Sequence, residues 1–185
     1  SDTIRLGSNE PLNEDAEDND PNTLDNRENL TIDFGFVPTL SLGNQVWVDA
    51  NNNGIFDAGE EPIAGVLVEL HYYNPVTMMC EVVDSVYTDA DGLYLFDTLG
   101  AGKYIVVLPA SNFAEGGPLE GSTSSTGNGA VMGSDTVIDP DNDIDNDDNG
   151  VFTVGGMFPG AIVSDTVTLS YGAEPVGEDN PEGQD

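Results

Sequence analysis

Apolar and polar residues alternate along much of this chain in the two-residue rhythm of a half-buried strand. Leu40-Ser-Leu-Gly-Asn-Gln-Val-Trp-Val48 keeps that rhythm loosely, and Pro62-Ile-Ala-Gly-Val-Leu-Val-Glu-Leu-His71 keeps it with Val and Leu on one face. Glu81–Thr88, Leu93–Asp97 and Lys103–Leu108 read as three more strands. The breaks between them, Asp89-Ala-Asp-Gly92 and Thr98-Leu-Gly-Ala-Gly102, carry the residues that tolerate tight-turn backbone angles, and Pro109 stops the last strand. Ala161–Leu169 resumes the pattern, and Asn29-Leu-Thr-Ile-Asp-Phe-Gly-Phe36 shows it near the start. Short strands separated by Gly, Asp and Pro turns predict an all-β sandwich. Ser111–Ala130 is rich in Gly, Ser and Thr and weakly patterned, which predicts a long surface excursion within an extension at 111–160.

Between the first two strands the pattern gives way to Asp49-Ala-Asn-Asn-Asn-Gly-Ile-Phe-Asp-Ala-Gly-Glu60. Counted as a twelve-residue loop, it puts Asp49, Asn51 and Asn53 at positions 1, 3 and 5, Gly54 at 6, Ile55 (by its carbonyl) at 7, Asp57 at 9 and Glu60 at 12. That is the EF-hand calcium register at every liganding position. Hard oxygen donors, closed by a carboxylate able to bind through both oxygens, suit Ca²⁺. The plainer reading is a polar turn. The flanks are strands and not helices, so an ion here clamps a sheet.

Other acidic stretches are less regular. Asp139, Asp141, Asp143, Asp145 and Asp147 alternate in a run that also holds Asp148. They either converge on one or two Ca²⁺ ions or form a solvated acidic loop, since unmetallated carboxylates this close repel. Asp89 and Asp91, with Asp84, make a smaller calcium candidate or an ordinary turn. The run Glu14–Asp20 with Asp25 either caps a module boundary or is a solvated linker.

The 185 residues carry 35 acids against three bases, a formal charge of −32. A surface so acidic excludes nucleic-acid partners, which need a basic footprint, and disfavours anionic membranes. The acids alternate with apolar runs able to bury a core, so the chain is not a disordered acidic polymer. Cys80 is the single cysteine, so there is no disulfide framework, and calcium is the available cross-link. No leader, apolar spanning run or sorting tail is visible, and the chain starts at Ser1 as though cut from something longer. His71 has no catalytic partner, and Ser122, Ser124 and Ser125 lack a nucleophile-elbow pattern, so no enzyme is expected. Asn29-Leu-Thr31 is a glycosylation sequon at the start of a strand.

The two ends repeat each other. Ser1-Asp-Thr-Ile-Arg-Leu6 matches Ser164-Asp-Thr-Val-Thr-Leu169, Glu10-Pro11 matches Glu174-Pro175, and Glu14-Asp15 matches Glu178-Asp179. Residues 1–38 then read as the tail of a preceding repeat or a donor-strand segment. Residues 39–185 read as the next module, without its own final strand. A sheet missing an edge strand exposes backbone donors beside an apolar groove.

Five pieces, in order and closely spaced, resemble the SdrD B-type repeat of the collagen-adhesin B-like group. They are Ser41–Asp49, Asn51–Gly54, Glu60–Val68, Thr88–Phe96 and Leu99–Val106. The resemblance implies an Ig-like or prealbumin-like β-sandwich with calcium-binding loops, in a rod-forming module of bacterial surface adhesins. It carries over Asp49, Asn51, Asn53, Asp57 and Glu60 as calcium ligands. Some members of the wider group form a Lys–Asn isopeptide with a lysine near the first strand. Residues 39–48 hold no lysine and Lys103 sits beside a turn, so calcium is the expected reinforcement. Together these features point to a non-enzymatic, calcium-rigidified repeat of an extracellular or cell-surface stalk or filament. Its partners are other copies or neighbouring repeats, head to tail and possibly by strand complementation. The alternative is an adhesin domain binding a host or surface ligand through the 111–160 extension.

Overall fold

The computed structural model describes residues 34–125 and 150–173. Two compact units divide the chain, Ser1–Val37 and Pro38–Asp185. Of the first, the described residues include Phe34 and Phe36, which are 78% and 91% exposed.

The second unit is a sandwich of two antiparallel sheets. β1 (Leu40–Gln45) pairs with β4 (Leu93–Leu99) in the smaller one. In the larger sheet β3 (Met79–Tyr87) lies beside β2 (Leu67–Asn74), which pairs with β5 (Gly102–Leu108). Two short strands, β7 (Ile162–Val163) and β8 (Val167–Leu169), share the far edge of β5, and β6 (Val151–Phe152) pairs with β7. Valines and leucines at alternate positions form these strands because a pleated chain turns every second side chain to one face. Val66, Val68 and Leu70 are fully buried, and they meet Phe96, Tyr104, Val167 and Leu169 between the sheets. Leu40, Leu42 and Tyr94 close that core from the β1–β4 side.

Three expectations need correction. The strand expected from Pro62 starts at Leu67, because residues 61–63 instead pair with residues 46–48. The single strand expected over Ala161–Leu169 is broken in two. Residues 164–166 stand opposite Ile105 and Val106 alone, a one-residue bulge. Ser164 repairs the ladder there: its amide donates to the Val106 carbonyl at 2.9 Å, and its hydroxyl accepts from the Val106 amide at 2.9 Å.

The third correction is partial: residues 111–125 are mostly exposed, as a surface excursion is, but two side chains turn inward, and residues 126–130 lie outside the described residues. Ala110–Phe113 form a 3₁₀ turn, and Asn112 in it is 3% exposed. The Asn112 side chain accepts from Leu67 N at 3.0 Å and donates to Leu67 O at 2.8 Å, pairing with the backbone as a neighbouring strand would. Leu119 follows it into the core. Pro109 cannot continue the β5 ladder, and the amide of Asn112 takes its place.

Candidate metal loop

The 49–60 loop stands on a paired stem. Val46 N donates to Gly92 O, Val48 N to Glu61 O and Ile63 N to Val46 O, all within 2.8–2.9 Å, and Trp47 bridges Pro62. Buried Thr88 pins the downstream arm: its hydroxyl accepts from Val66 N at 2.9 Å and donates to Ile63 O at 2.7 Å. Phe56 reaches back to Trp47 in an edge-on ring contact of 6.1 Å. The loop is therefore tied to both sheets by backbone bonds and by an apolar contact.

Inside the loop the polar side chains cap their own backbone. Asp49 Oδ1 accepts from Asn53 N at 3.1 Å and Oδ2 from Gly54 N at 2.9 Å. Asn51 Oδ1 accepts from Asn53 N, and Asn53 Oδ1 from Ile55 N. Glu60 spans the loop ends, with Oε1 accepting from Ala50 N at 2.8 Å and Oε2 from Asp57 N at 3.0 Å. Asn52 and Gly54 turn the chain with φ of 57° and 78°, a conformation that Asn and Gly tolerate. The side chains expected to be ligands are here engaged with the loop's own backbone and with one another.

The amides of Asn51 and Asn53 both donate to Asp57 Oδ2, at 2.7 and 2.8 Å. Both bonds engage Asp57 Oδ2, and among the described residues no group of three or more Asp, Glu, His or Cys side chains is placed so that it could hold a metal ion. The donor types at the expected positions, carboxylate, side-chain amide and backbone carbonyl oxygens, are those that Ca²⁺ takes. Partial burial pushes the Asp49 carboxyl up, but bonds from the Ser125 hydroxyl and the amides of Gly54, Asn53 and Asn52 outweigh it and hold it below the usual range. The anionic form is the one a metal needs.

Asp89 and Asp91 lie together in the turn next to the stem. Asp89 Oδ1 accepts from the amides of Asp91 and Leu93, and the Asp91 carbonyl accepts from Gln45 Nε2. Asp84 is an exposed residue of β3. Asp139, Asp141, Asp143, Asp145 and Asp147, the run at 14–20 with Asp25, and the Asn29 sequon all lie outside the described residues. Lys103 is exposed opposite Thr168, and Cys80 is half-buried, which pushes its thiol up. His71 is buried under Phe158, with Nε2 3.1 Å from Glu69. Among the described residues no helix is long and apolar enough to cross a membrane. Ser125, whose hydroxyl reaches Asp49, had no local sequence signal; its partner lies 76 residues away.

A family model described as the SdrD B-like domain matches residues 40–155, more than half of the chain, beginning at the first residue of β1. Serine-aspartate repeat-containing protein D of Staphylococcus aureus is 35% identical over 151 residues, 81% of this chain and 9% of that protein. Serine-aspartate repeat-containing protein I of Staphylococcus saprophyticus is 42% identical over 86 residues, 45% of this chain and 4% of that one. A fibrinogen-binding protein of Staphylococcus epidermidis is 41% identical over 86 residues, 45% of this chain and 7% of its own length. The chain thus spans less than a tenth of each, and none of these relatives is an enzyme by name. The two-sheet sandwich, the loop on its stem and these matches agree from Leu40 onward, and the chain belongs to the family of SdrD B-like domains.

Proposed function

We propose that this domain is a calcium-rigidified structural repeat of an extracellular surface stalk or filament. The carrying observation is the 49–60 loop, whose self-capping bonds follow a calcium-loop register on a stem built into the sandwich. An ion held there joins the two arms of the stem and offsets part of a charge of −32. The acidic run at Asp139–Asp147 and the Asp89–Asp91 turn are further candidates, so more than one ion is proposed. Calorimetric titration with Ca²⁺, followed in parallel by the fluorescence of Trp47, tests the reading. Glu60→Gln removes the charged, two-oxygen closing ligand and weakens the site more than Asn51→Ala, which removes one neutral oxygen. Equal affinities for the two variants would contradict the register.

Neighbouring repeats or further copies are the proposed partners, joined head to tail by strand addition. Among the described residues β1 has a hydrogen-bonded strand on its β4 side alone, and Leu40 and Leu42 bring its edge to the core. A segment such as Asn29–Phe36, with its exposed Phe34 and Phe36, has the alternation to pair there.

One observation favours a second reading, a ligand-binding adhesin domain. Phe152, Val154 and Met157 are 46%, 92% and 55% exposed within the 150–160 part of the extension. Under that reading the parent captures a host or surface ligand and Val154→Asp does not, whereas under the first neither protein captures one.

A further inference from the structure

Ser125 belongs to none of the ligand positions, yet its hydroxyl donates to Oδ2 of Asp49, the first residue of the loop, and lies 3.1 Å from Asn52 Oδ1. The same Asp49 oxygen accepts from Gly54 N, while Oδ1 accepts from Asn53 N. Ser125 closes a segment that is anchored at its other end. Asn112 clasps Leu67, Leu119 sits in the core, and the Leu119 amide donates to Asn112 O at 2.9 Å. Next to Ser125, Ser124 Oγ donates to Gly150 O at 2.5 Å. Residues 111–125 therefore run from a buried clasp on β2 to the mouth of the 49–60 loop.

We propose that Ser125 is a positioning residue for the loop, and that cation binding at 49–60 and docking of residues 111–125 stabilise each other. The inference rests on the calcium reading above. A carboxylate presents one oxygen to a cation most effectively when its other oxygen is held by a donor, and loss of such an outer partner typically costs 10–100-fold in metal affinity. The coupling is reciprocal by thermodynamic necessity. Whatever the docked segment adds to cation affinity, the bound cation adds to the docking. The extension thereby becomes part of the rigid body that the ion creates.

The test uses the full chain and Ca²⁺ alone. Calorimetric titration gives affinity, and amide hydrogen exchange follows the 111–125 segment with and without the ion. Ser125→Ala binds about tenfold more weakly at the 49–60 site. In the parent, Ca²⁺ slows exchange at the hydrogen-bonded amides of Leu119 and Ser122, and in Ser125→Ala that response is lost. Ser125→Thr keeps a hydroxyl and restores both. The inference is overturned if Ser125→Ala binds within twofold of the parent and its 111–125 amides respond to Ca²⁺ as the parent's do, even should its metal-free melting point fall. A parent that binds Ca²⁺, a Glu60→Gln variant that does not, and a parental Ser125→Ala would remove this inference alone. A parent that binds no Ca²⁺ would remove the calcium reading and this inference together.

Discussion

Replacing Asn112 with alanine breaks a side-chain clasp that stands in for a strand. Asn112 is 3% exposed, and its two bonds to Leu67, at 3.0 and 2.8 Å, satisfy both backbone groups of that residue where β5 has already ended at Leu108. A typical internal hydrogen bond contributes about 1 kcal/mol net, and a buried group left without a partner costs about 1–3 kcal/mol. Leu67 is only half-buried, so water reaches part of the gap. The expected loss is about 2–4 kcal/mol. At about 2–4 °C per kcal/mol for a domain of this size, the melting point falls by roughly 5–15 °C. Urea unfolding in excess Ca²⁺, with the slope unchanged and the midpoint lowered, is the assay. Asn112→Asp is a sharper control: it keeps the acceptor for Leu67 N but turns a carboxylate on Leu67 O, so it is no better than alanine. An Asn112→Ala variant within about 0.5 kcal/mol of the parent, the range of an ordinary surface substitution, would refute the clasp.

Three further outcomes follow from the geometry. Gly92→Ala destabilises far more than Gly59→Ala in thermal melts. Both glycines have positive φ, but a Cβ at Gly92 meets Val46 O at 2.4 Å on the loop stem, whereas one at Gly59 meets nothing within 4 Å. In metal-free buffer, the stability that Asp49 contributes is fully present above the unfolded carboxyl value of about 3.9 and drains away as pH falls through its lower folded value. Urea midpoints of the parent and Asp49→Asn therefore converge on acidification, and a gap that widened there would reverse the sign. Finally, a chain starting at residue 39 binds a peptide of residues 22–38 and gains stability from it, and a stable monomer indifferent to the peptide would exclude strand addition at β1.

The parts of this fold that were legible in the sequence are those written in local periodicity. Val66, Val68 and Leu70 announce a buried face by spacing alone, and the 49–60 loop keeps its register within twelve consecutive residues. What escaped was polar and long-range. Asn112 binds a residue 45 positions away, Ser164 one 58 away and Ser125 one 76 away. Each is a small polar side chain, Asn112 and Ser125 in a weakly patterned stretch and Ser164 inside an expected strand, completing a backbone ladder or a carboxylate elsewhere. Nothing in its neighbours distinguishes such a residue from a solvated one. The break in Ala161–Leu169 escaped for a different reason: Ser164-Asp-Thr166 interrupts the alternation with three consecutive polar residues, which marks an irregularity but does not say which residue bulges.

If calcium rigidifies the sandwich through the 49–60 loop, thermal unfolding of the chain must differ with and without the ion. Binding to the folded state alone raises stability by RT ln(1 + [Ca²⁺]/Kd), about 2.7 kcal/mol per site at a hundredfold excess over Kd. The melting point is expected to rise with Ca²⁺ concentration, to fall in EDTA and to lose most of its response in Glu60→Gln. A melting curve identical in excess Ca²⁺ and in EDTA, with metal analysis confirming that the ion was removed, would contradict it.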